Sequence, residues 1–133
     1  MPKAILRTAR LNWKTPEGAG GAVDVFVPAL LSNLRMVDRR LKKAGLRELE
    51  DLMFPDDGRP VPRRDAAVAF EAALDFFDRR PESIPFSDIL VPTLGGMVEA
   101  LAGIPEDAEI QFSRVDIGHA GLDHGSVIAP PAG

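Results

Sequence analysis

Apolar and polar positions alternate along both ends of this chain and follow a helical period through its middle. Residues 4–13, AILRTARLNW, set Ala9, Leu11 and Trp13 on one side and Arg10 and Asn12 on the other, the period of two of a half-buried strand. A glycine-rich loop from Thr15 to Gly21 follows. Over residues 22–27, Val23, Val25 and Val27 then alternate with Asp24 and Phe26, and a hairpin with the first strand is the economical reading.

From residue 28 the period changes. Leu30, Leu34, Val37, Leu41 and Ala44 recur at spacings of three and four, which predicts a helix over 28–44 with Pro28 in its first turn. Gly45 is placed as its stop, and Arg39, Arg40, Lys42 and Lys43 suit the negative end of its dipole. Residues 46–54 read as a short second helix ended by Pro55, and the three prolines and glycine of 55–62 read as a surface loop. A third helix is expected over 65–80, N-capped by Asp65, with Phe70, Leu74 and Phe77 as its apolar stripe.

Residues 84–92, IPFSDILVP, show no clear period, and Asp88 to Val91 read as a short strand or extended segment. A helix from Thr93 to Ala102 follows, weakened at its start by Gly95 and Gly96. Residues 109–117 form a strand in which the apolar parity shifts from Ile110 and Phe112 to Val115 and Ile117, predicting a bulge near Ser113 or Arg114. Residues 127–129 give a last short strand, and 129–133 a frayed tail.

These elements predict one α+β domain over residues 1–133. Its antiparallel sheet would come from the N-terminal hairpin and a C-terminal strand pair, covered on one face by three to four helices. A length of 133 residues suits a single core, and 45% hydrophobic residues place the chain outside the disordered class.

Charge then narrows the functional classes. Twenty acidic against 16 basic residues give a net charge of -4, which argues against a nucleic-acid binder and suits a protein that meets a basic partner. The absence of cysteine removes disulfides and thiolate chemistry. No segment approaches the roughly 20 apolar residues of a membrane span. With no address signal in the N-terminal residues, the cytoplasm is the expected location.

Three groups of residues could carry function. Asp116, His119, Asp123 and His124 bring two carboxylates and the chain's only histidines into one glycine-rich loop, a donor set for a divalent transition metal such as zinc, iron or manganese. One histidine oriented by an aspartate could instead serve as a general base. The spacing matches no zinc signature, and Asp, His and Gly are also ordinary loop residues.

Gly95 and Gly96, after an apolar run and before a helix, suggest backbone amides for an anion, without the lysine of a phosphate loop. On the helical surfaces, Arg35, Arg39 and Lys42 share one edge of the first long helix, and Glu71, Asp75 and Asp78 share one edge of the third. Either edge could dock a partner of opposite charge. The functional expectation is a non-enzymatic protein-binding or accessory module, for example an inhibitor of the immunity type or a phage or secretion-system component. A homo-oligomer is compatible with the same features. The alternative is a small metal-dependent enzyme built on the Asp116/His119/Asp123/His124 loop.

Overall fold

The computed structural model describes residues 7–116, whose core lies on one face of a four-stranded antiparallel sheet. Strand β1 (Arg7–Lys14) pairs with β2 (Gly20–Phe26) in the expected hairpin. Its loop is closed by the Thr15 amide donating to the Ala19 carbonyl at 2.7 Å. On its other side β1 pairs with β4 (Glu109–Asp116), and β4 pairs in turn with the two-residue β3 (Val61–Pro62), giving the order β2-β1-β4-β3.

The side-chain alternation decides which face is buried. Ala9, Leu11, Val25, Ile110 and Phe112 point inward and are buried, while Asn12, Lys14, Asp24 and Gln111 stay exposed on the outer face. There Arg10 forms a two-pronged pair with Asp24, at 2.7 and 3.0 Å, a cross-strand contact that supports the hairpin register.

Four helices cover the inner face: α1 (Leu34–Lys43), α2 (Glu50–Met53), α3 (Arg63–Arg79) and α4 (Ser87–Ala102). The fold is α+β, as the sequence predicts. Helices α3 and α4 pack along one another, and Phe70 of α3 meets Phe112 of β4 with ring centroids 6.1 Å apart. No described helix is long and apolar enough to cross a membrane.

Several elements differ from expectation, each for a local reason. The first helix begins at Leu34, not Pro28, because Ala29 takes a φ of 66° and a 3-10 turn over Leu31–Asn33 intervenes. That left-handed backbone is costly for a residue with a Cβ. It is held by Asn33 Nδ2 donating to the Ala29 carbonyl at 3.1 Å and Thr93 Oγ1 donating to the Pro28 carbonyl at 3.1 Å. The expected second helix shrinks to Glu50–Met53. The predicted loop 55–62 ends in β3, since Val61 is apolar and buried opposite Ile110. Asp65 lies within the first turn of α3, whose cap position is Pro62.

The largest correction concerns residues 84–92. Asp88 to Val91 are helical, and α4 runs unbroken from Ser87 through Pro92. Leu90, Thr93, Leu94, Met97 and Leu101 give it a buried stripe of helical period. Its start is anchored by Ser87 Oγ donating to the Pro81 carbonyl at 2.8 Å and by two amides, of Ile89 and Leu90, donating to the Phe86 carbonyl. Pro92 removes one helical hydrogen bond, to the carbonyl of Asp88, which is an exposed residue. The bulge near Ser113 or Arg114 is absent as well. Pairing with β1 runs without a break from Arg7↔Asp116 to Lys14↔Glu109. Arg114 follows Ile110 and Phe112 on the inner side of the pleat yet stays exposed, with its guanidinium 4.6 Å from the centre of the Phe54 ring. The strand predicted at 127–129 and the frayed tail lie outside the described residues.

Two glycine environments make opposite predictions. At Gly21 an added Cβ would sit 2.9 Å from Cζ2 of Trp13, whose ring lies across the glycine from the neighbouring strand. Gly21→Ala should therefore cost about 1–3 kcal/mol through overpacking. At Gly95 and Gly96, inside α4, an added Cβ meets nothing within 4 Å. Gly95→Ala and Gly96→Ala should each stabilise by about 1 kcal/mol. Urea unfolding of the three variants checks both signs.

Candidate functional site

A surface groove of about 730 Å³ opens where the C-terminal ends of α1 and α3 approach each other. Helix α1 supplies Arg40 and Lys43, with Ala44 at its cap, and α3 supplies Ala72, Asp75, Phe76 and Arg79, in both cases at helical spacing. Leu46, Arg80 and Ser83 complete the wall.

Two local devices put Leu46 there. Gly45, with a φ of 79°, ends α1 in a paired-carbonyl turn: the Leu46 amide donates to Leu41 at 2.8 Å and the Gly45 amide to Lys42 at 3.0 Å. Three residues on, the buried carboxylate of Asp38 accepts from the amides of Leu49 at 2.6 Å and Glu50 at 3.0 Å. Asp38 thus satisfies the first amides of α2 from a neighbouring helix. The segment carrying Leu46 is fixed at both ends.

The groove's cations are held by different partners. Arg40 donates from Nε to the Ser83 carbonyl at 2.8 Å, joining α1 to the turn after α3. Arg79 pairs from Nε with Asp75 at 2.8 Å, one helical turn back, and that hydrogen bond raises its guanidinium pKa above the ordinary value. The Arg80 guanidinium lies 5.9 Å from the centre of the Phe76 ring. Phe76 in turn meets the buried Phe77 edge-on, with centroids 4.9 Å apart, so the groove's aromatic wall continues into the core.

Of the residues singled out from sequence, only Asp75 lines this groove. Glu71 and Asp78 are exposed on α3, and Arg35, Arg39 and Lys42 are exposed on α1. No ion pair joins α1 to α3 among the described residues. Gly95 and Gly96 lie in the interior of α4, eight and nine positions into the helix, so the helix N-terminus imagined for an anion there does not exist. Asp116 is the last residue of β4, aligned with Arg7, while His119, Asp123 and His124 lie outside the described residues. Among the described residues no three His, Cys, Asp or Glu side chains gather into a group that could hold a metal ion.

Sequence reasoning missed Arg40, Lys43, Leu46, Phe76, Arg79 and Arg80 as a set. The available signal was that both helices end in basic clusters, RRLKK and DRR. These read equally well as dipole complements, and nothing in the sequence brings the two ends together. No family model, no curated protein and no solved structure matches this chain.

Asp38 supplies a test of how the groove wall is built. Burial pushes its carboxyl above the usual carboxylate range, the Leu49 and Glu50 amides pull it back, and the nearby Glu48 and Glu50 charges push it up further. The folded protein therefore keeps this proton to higher pH than the unfolded chain does. Its contribution to stability is largest below the ordinary carboxylate pKa and falls as pH rises through the elevated value. Asp38→Ala should cost about 1–3 kcal/mol at neutral pH by leaving two amides without their acceptor. The gap from wild type in urea unfolding should narrow as pH rises from acid to neutral. A gap that widens instead would mean that the two hydrogen bonds outweigh burial.

Proposed function

We propose that this protein is a non-enzymatic binding module that docks a protein partner in the groove between α1 and α3. The observation that carries this reading is the groove itself, in which fixed cationic side chains surround an accessible apolar wall of Phe76 and Leu46. Interfaces concentrate their affinity in such places, where aromatic and arginine side chains are anchored before the partner arrives. Contacts such as that of Arg40 with the Ser83 carbonyl lower the entropy lost on association, since they restrict the side chain beforehand. An inhibitor or accessory role fits this reading, because such proteins act by occupying a surface and need no reacting group of their own.

Position-specific cross-linking tests the proposal. A photoreactive benzoylphenylalanine in place of Ala44, on the exposed rim of the groove, should give a discrete protein adduct in the cells that make this chain. The same group in place of Val68, which is 62% exposed on α3 and outside the groove, should not. Equal adducts at both positions, or adducts at Val68 alone, would remove the groove as the docking surface.

A further inference from the structure

We infer that the groove takes an acidic peptide segment bearing an apolar anchor, in place of the basic partner suggested by the overall charge; this rests on the docking reading above. The chain as a whole carries a net charge of -4, yet the groove gathers Arg40, Lys43, Arg79 and Arg80 against a single carboxylate, Asp75. That carboxylate is already paired with Arg79. The C-terminal dipoles of α1 and α3 offset part of this charge, at roughly half an elementary charge each. The surplus remains positive.

The donors suit carboxylates in particular. Three of the four cations are arginines, whose planar forks match a carboxylate two bonds at a time. Arg40 and Arg79 are each fixed through Nε, so both Nη groups of each remain as donors for an incoming acid. The apolar share of the wall, from Ala44, Leu46, Ala72 and Phe76, calls for an apolar side chain between the acids, which a peptide supplies and an inorganic anion does not.

The groove is open to the surface, unlike the enclosed sites that bury most of a small ligand. A nucleic acid fits less well, because Glu71 and Asp78 are exposed on the same helix and would repel a continuous line of phosphates. A short peptide segment can end before it reaches them.

Selection from a displayed library of random short peptides tests the inference without knowledge of the natural partner. The library is selected on the wild-type protein and counter-selected on the K43E/R80E variant, whose two changes are at exposed positions and whose fold is checked by circular dichroism. Selected peptides should be enriched in Asp and Glu around one aromatic or long aliphatic residue. Synthesised singly, they should bind K43E/R80E at least about tenfold more weakly, with affinity falling as salt rises. Phe76→Ala should weaken the same peptides while leaving their salt dependence in place. Enrichment without acidic residues, or peptides indifferent to K43E/R80E, would overturn the acidic-segment assignment. Tighter, charge-dependent binding of a single-stranded oligonucleotide would overturn it too. Adducts at position 44 in the cross-linking experiment would in those cases still uphold a groove-docked protein partner, so the two readings fail separately.

Discussion

The pairing of β1 with β4 is the constraint on which the rest of the described structure depends. It joins Arg7 to Asp116 and Lys14 to Glu109, so nearly all of the described chain is an excursion between two neighbouring strands. Closing so long a loop costs entropy that only burial of the sheet's inner face can recover. Ala9, Leu11, Ile110 and Phe112 provide that face, and every helix in the excursion must turn its apolar stripe toward it. The other face carries Arg10, Asn12, Asp24 and Gln111 and faces water. Helices on a single side of the sheet follow directly from this asymmetry.

The groove is a by-product of how that single layer is filled. Helices α3 and α4 take the tightest packing, and α1 is held by its contacts with α2 and the preceding 3-10 turn, by its Schellman-type turn at Gly45 and by the bond from Arg40 to Ser83. The C-terminal ends of α1 and α3 therefore come near each other without interdigitating. Basic residues at those ends stabilise each helix on its own, by complementing its dipole. Brought together, they become a concentrated positive surface in an acidic protein. One choice of residue thus serves helix termination and, in the docking reading proposed above, recognition as well.

Legibility in the sequence followed the strength of the local pattern. The hairpin of β1 and β2 and the body of α3 carry clear periods, Gly45 is a clear helix stop, and β4 is legible as a strand although its parity shifts within it. Helix α4 was hidden because Pro92, Gly95 and Gly96 are individually unfavourable in a helix, and local propensity hid the stripe of Leu90, Leu94, Met97 and Leu101. Tertiary burial of that stripe outweighs the penalties. Strand β3 was hidden by its length of two residues. The parity shift near Ser113 misled because Arg114 stands on the inner side of the pleat but stays exposed beside the Phe54 ring, which no period can register. Of the groove, each wall was visible as a charged helix end, but their proximity depends on packing between elements far apart in sequence. The carboxylate of Asp38 looked like any other acid in α1 until its two amide partners, eleven and twelve residues away, were in place.

The close approach of Trp13 to Gly21 has a spectroscopic meaning. This is the chain's one tryptophan, and the protein has no tyrosine, so its near-ultraviolet emission comes from a single indole lying across the β1–β2 hairpin. The helices, by contrast, dominate the far-ultraviolet dichroism and contain no indole. The molecule therefore carries two separate optical clocks, one for its sheet and one for its helical layer. Whether they run together is a direct reading of how cooperatively the long excursion between β1 and β4 is tied to the sheet that encloses it.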